Sequence, residues 1–169
     1  MKAFSRCYLL LFITFLFFIN FIYSQNKGKY QYRWALFHPV AAIKVKKIYK
    51  RNLYIYQEVK QQKLLDTIEN GGKLDAFRHA FFMACFAQKV KPKKLVKLGI
   101  AHEKDDVWLY KKKRKIEFRD VPDSASIQMD LYNNQVGIEI GRKYRNITTI
   151  QLRDTILFYV KENKFRTIR

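Results

Sequence analysis

Residues 71–89 read GGKLDAFRHAFFMACFAQK, and this stretch decides the fold. Behind the glycine pair, Leu74, Phe77, Ala80, Phe81, Ala84, Cys85 and Ala87 recur at helical spacing and cover most sides of a helix running from about Leu74 to Lys89. A helix that is apolar nearly all round must be covered by other elements, so this one belongs at the centre.

Outward from it, Asn70, Gly71 and Gly72 stop a preceding helical pattern that runs from about Val40 to Leu65. Its apolar positions Ile43, Ile48, Leu53, Tyr56, Val59 and Leu64 lie among many lysines, as one helix or two. Pro92 opens a third helix, with Leu95, Val96, Leu98, Gly99, Ala101 and His102 near helical spacing, to about Leu109. Asp123 or Ser124 caps a fourth that reaches Arg142, and Thr148 or Thr149 opens a fifth. Residues 26–37 read as a polar, aromatic lead-in. Strand signals reduce to residues 115–118, and one strand makes no sheet. The fold class expected is therefore all-α, a compact bundle of about five helices. No repeat and no Pro/Gly/Ser linker divides residues 26–169, so they are expected to form a single domain.

The first 25 residues read differently. Lys2 and Arg6 precede an apolar run from Cys7 to Tyr23 broken only by Thr14 and Asn20, the layout of a secretory signal peptide or an N-terminal membrane anchor. The expected location is exported: periplasmic, cell-envelope or secreted. Loss of residues 1–24 would leave Cys85 as the one thiol, which reads as a small buried hydrophobe.

The chain has 34 Lys and Arg against 14 Asp and Glu, a formal charge of +20, and still +18 without Lys2 and Arg6. Such a balance favours anionic partners. For an exported chain these are envelope components such as lipid head groups or acidic polysaccharide, with nucleic acid the less available partner.

Polar residues placed on apolar helices carry the candidate chemistry. Asp75, Arg78 and His79 share one face at i, i+3 and i+4, and His102 and Asp106 repeat that spacing beside Glu103 and Asp105. Asp130, Asn133 and Asn134 do so again in MDLYNNQVGIEIG. Imidazole and carboxylate groups arriving from several helices suit a divalent metal, with zinc favoured, and the expected ligands are His79, His102 and Asp130. A three-ligand site leaves a position for water, whose proton Glu103 is expected to take while Arg78 neutralises an anionic substrate. A buried, satisfied polar network that holds helix register accounts for the same residues: Asp75 as a cap, His79 bonded to Asp130, and Asn133 on a backbone carbonyl. Gly137 and Gly141, four apart, read as a close helix approach, and His38 as a surface or capping residue. No GxSxG elbow, P-loop or CxxC pair is present.

The motifs DAFRHA, AHE and MDLxNNxxG, in this order over residues 71–142, resemble the DUF6973 type, an uncharacterised bacterial domain family of exported proteins. The resemblance implies that Asp75, Arg78, His79, His102, Glu103, Asp130, Asn133 and Asn134 act as a set. It implies no reaction, and Tyr132 stands where similar sequences carry a histidine. Two functions follow as expectations. One is a metal-assisted hydrolase of an anionic envelope or lipid substrate of phosphoester type. The other is a non-catalytic basic envelope protein that grips anionic lipid or polysaccharide.

Overall fold

The computed structural model describes residues 28–112 and 123–169, which contain six helices and no strand. These are α1 (Lys29–Phe37), α2 (Pro39–Gln61), α3 (Lys73–Ala87), α4 (Pro92–Lys112), α5 (Ser124–Lys143) and α6 (Thr149–Lys161). The apolar run at 7–23, expected as a signal peptide or anchor, and the short segment 115–118 lie outside the described residues. Among those described, no helix is long and apolar enough to cross a membrane.

The central helix is α3, which packs against α2, α4, α5 and α6. Thirteen of its residues are buried; Lys73 and Arg78 are not. Its tightest partner is α5, and glycine is the reason. A Cβ added at Gly137 or Gly141 would collide with the carbonyl oxygen of Ala80 or Ala84. Small residues on both helices let the backbones touch, which sets residues 130–134 of α5 against residues 75–79 of α3.

Local signals explain most boundaries. Pro39 and Pro92 occupy the first positions of α2 and α4. The Asp123 side chain accepts from Ser126 N at 2.7 Å to cap α5, and Thr148 with Gln151 forms a capping box on α6. The helix α2 is single and stops at Gln61, short of the expected glycine pair, because Lys63 turns the chain with φ 50°. Asp66 then caps α3, accepting from Lys73 N at 2.6 Å and Leu74 N at 2.9 Å.

The all-α bundle of about five helices is found with six, because residues 29–37 of the expected lead-in are helical. The stabilising contacts come from α4, far along the chain. Asp105 caps the first turn of α1, accepting from Tyr30 N at 2.7 Å and Gln31 N at 2.8 Å, and the Trp34 indole donates to Lys94 O at 2.9 Å. Gly28 precedes this cap with φ 92°, and a Cβ there would lie 2.9 Å from Asp105 Oδ2. His38 joins α1 to α2 with its ring edge-on to Trp34. Cys85 is buried and its thiol is pushed up to about 12 by desolvation, the inert packing expected of it.

Candidate functional site

Asp75 and His79 lie one turn apart on α3, and α5 brings Asp130 to the same point. His79 Nε2 is 3.5 Å from Asp75 Oδ1 and 3.3 Å from Asp130 Oδ1. One ligand atom from each of the three falls within 4.8 Å of the others, close enough to hold a metal ion. Arg78 lies alongside, donating to Asp75 Oδ1 from Nε at 3.1 Å and Nη2 at 2.5 Å, with Nη2 also 3.1 Å from His79 Nε2. The second oxygen of Asp75 accepts Gly71 N at 2.8 Å. Asp75 therefore orders the loop before α3 and anchors the arginine at once.

The tautomer of His79 follows from α5. Its Nδ1 is 3.2 Å from Asn134 Oδ1, an acceptor, so Nδ1 carries the proton and Nε2 presents a lone pair. Asp130 Oδ1, which faces that lone pair, is buried without a hydrogen-bond partner, as are Glu103 Oε1 and Asn134 Nδ2. Unsatisfied buried oxygens are costly, so each shifts toward its neutral form or takes a cation.

The electrostatics agree with the geometry. Burial, then the charge of Asp75, pushes Asp130 up to about 7. Burial, then the charges of Asp130 and Asp106, pushes Glu103 up to about 9. Burial, then the Arg78 and His102 charges, holds His79 well below its ordinary range, so it is neutral near pH 7. Burial works against the charge on Arg78, but Asp75 outweighs it and the arginine stays above its ordinary value.

Arg78, His79, His102 and Asn134 form the polar end of a 620 Å³ cleft whose walls include Trp34, Tyr49, Tyr56, Phe82 and Phe86. With its guanidinium tied back to Asp75, the side chain of Arg78 is still 37% exposed.

Three expectations change on this geometry. His102 stands apart from the compact ligand set: its Nδ1 is 3.0 Å from Gln31 Nε2, its Nε2 is 3.6 Å from Asp106 Oδ2, and its ring centroid is 6.0 Å from that of His79. Asp75 takes its place, because i, i+4 spacing on α3 sets that carboxylate beside His79. Glu103, expected as the base, lines a separate pocket with Tyr30, Ile100 and Leu131 instead of the cleft, and burial holds it protonated at neutral pH. Asn133 faces the C-terminal tail. Its Nδ2 donates to Arg166 O and its Oδ1 accepts from Arg166 N, both at 3.0 Å. Tyr132, next to it, is at the surface with the Arg166 guanidinium 4.1 Å from its ring centroid. Sequence reasoning missed Gln31 and the aromatic cleft walls, whose partners are remote in the chain.

These features define an all-helical domain with a carboxylate, imidazole and guanidinium cluster at the end of an aromatic cleft. The chain belongs to the DUF6973 family, a domain of unknown function whose profile matches residues 32–164, from α1 into the tail and well beyond the 71–142 core. No curated protein and no solved structure matches it.

Proposed function

We propose that the chain is a hydrolase of anionic ester substrates, of phosphoester type, working outside the cytoplasm with a divalent cation at Asp75, His79 and Asp130. The observation that carries this reading is the pair of facing acceptors. A lone pair on His79 Nε2 and an unpartnered oxygen on Asp130 stand 3.3 Å apart, and such a pair calls for a proton or a metal between them. Imidazole with two carboxylates is a donor set that suits zinc. A cation there would make a bound water acidic, and Arg78 would take the negative charge of the substrate. The leader supports export, and the excess of lysine and arginine supports an anionic substrate.

Elemental analysis and calorimetry with zinc and manganese, on the wild type, His79→Ala, Asp130→Asn and His102→Ala, test it. Near-stoichiometric metal should be lost in the first two variants and kept in the third, with metal-stimulated cleavage of an aryl phosphodiester following the metal. A wild type that binds neither metal and cleaves nothing ends the proposal.

A second reading has its own observation. Arg78 already supplies a positive charge to Asp75 and His79, so the cluster also works as a register-holding polar network without any reaction. Large stability losses in His79→Ala and Asp130→Asn with no metal in the wild type favour it.

A further inference from the structure

The junction of α1 and α2 leaves four large apolar side chains in water. Leu36, Phe37, Val40 and Ile43 are 58%, 66%, 65% and 56% exposed. They follow one another around the turn at His38, so they form one protruding knuckle. Cations surround it. The Arg33 guanidinium lies 5.9 Å from the Phe37 ring centroid, and Lys44, Lys47, Lys50 and Arg51 continue the exposed face of α2 behind Val40 and Ile43. No aspartate or glutamate occurs anywhere before Glu58.

We infer that this knuckle seats the chain on an anionic lipid bilayer, with Leu36, Phe37, Val40 and Ile43 in the boundary between head groups and acyl chains and the flanking cations at the phosphates. A polyanion such as nucleic acid or acidic polysaccharide satisfies the cations and leaves the apolar tip wet. An anionic bilayer satisfies both, and apolar burial plus cation attraction is how interfacial helices hold. The opposite faces of the same two helices line the cleft through Tyr32, Ala35, Ala42, Val45, Lys46 and Tyr49, so docking at the knuckle leaves the cleft uncovered. The docking does not rest on the hydrolase reading.

The test uses the full chain and a local probe, because residues 7–23 are apolar enough to enter any vesicle. The added indole of F37W is compared with that of F158W, an exposed apolar position on α6, on vesicles carrying brominated acyl chains. On phosphatidylglycerol vesicles the F37W signal should be quenched several-fold more than that of F158W. The excess should fade on the order of 0.5 M salt and with K44Q/K47Q/R51Q. Equal quenching at both positions overturns the inference, as does undiminished F37W quenching on purely phosphatidylcholine vesicles or a solution dimer that shields the knuckle from quenchers. Adding D130N separates the two proposals. Metal lost with F37W quenching intact leaves docking independent of the cation site. Quenching absent from a metal-loaded, active chain sinks docking alone.

Discussion

Asp130 Oδ1 and His79 Nε2 face one another across 3.3 Å, and the interaction of His79 Nδ1 with Asn134 leaves both facing atoms as acceptors. Two acceptors at that distance repel unless something positive lies between them. Arg78 Nη2 meets the His79 lone pair at 3.1 Å, while burial and then the charge of Asp75 keep a proton on Asp130 up to about pH 7. A divalent cation at this point would have to replace that proton.

The pH dependence of stability follows. The folded chain raises Asp130 from 3.8 to about 7, so the stability from its neutral form is complete in acid and is lost as pH rises through about 7. Glu103, raised from 4.5 to about 9, extends the loss to higher pH. His79, lowered from 6.5, acts oppositely and loses stability as pH falls below its unfolded value. With chelator present, Asp130→Asn should flatten the fall in Tm between about pH 5 and 8 relative to the wild type. Thermal unfolding at constant ionic strength checks it; parallel profiles for the two chains would show that Asp130 does not titrate there.

Backbone contact between α3 and α5 gives a second expectation. Gly141→Ala drives a methyl into the Ala84 carbonyl, and no rotamer relieves a clash with backbone. The helices must separate, costing about 1–3 kcal/mol or more. Urea denaturation should show the loss, with a smaller one for Gly99→Ala, whose nearest obstacle is the Asn134 side-chain amide at 3.1 Å. Equal stabilities in the two variants would contradict the close approach.

The central helix, the close approach at Gly137 and Gly141, and the caps at Asp123 and Thr148 were legible in the sequence because each is written within a few residues. What escaped depends on distant partners. The first helix is capped by Asp105, 75 positions beyond Tyr30, so its own composition reads as a lead-in. The α3 face bearing Asp75, Arg78 and His79 was readable from spacing, and that Asp130 comes to it was an expectation. Which of Asp75 and His102 lies close enough to His79 and Asp130 to hold a metal with them was not readable, since it depends on how α4 is rotated against α3. Nor does spacing reveal that Asn133 turns to a tail 33 residues further on.

That tail is the third case. Asn133 holds the backbone of Arg166 by two bonds, and Ile168 N and Arg169 N reach Gly71 O at 2.8 and 3.1 Å, the same residue whose N–H bonds Asp75. Asn133→Ala removes both side-chain bonds, about 1–3 kcal/mol. The expected outcome is tryptic cleavage at Lys164 and Arg166 that is faster than in the wild type. A tail no more sensitive than in the wild type would mean that Phe165, buried beside it, holds the segment alone.

Arg78 supplies the last prediction, which separates competition from support. Its Nη2 lies 2.5 Å from Asp75 Oδ1 and 3.1 Å from His79 Nε2, on the side from which a cation would reach both atoms. Two positive groups cannot share that position, so a divalent ion there would have to displace the guanidinium toward the cleft. Arg78→Met removes the competitor. A charge-assisted hydrogen bond contributes roughly 1.5–3 kcal/mol, so zinc affinity should rise about tenfold or more. Inorganic phosphate, a probe of the anion site, should lose its affinity for the metal-loaded chain. Arg78→Lys, which keeps the charge without the fork, should fall between the two. Calorimetry of zinc and then phosphate on the three chains reads both effects. If Arg78→Met weakens zinc instead, the arginine's role is to hold Asp75 in place for the metal, and the displacement step is wrong.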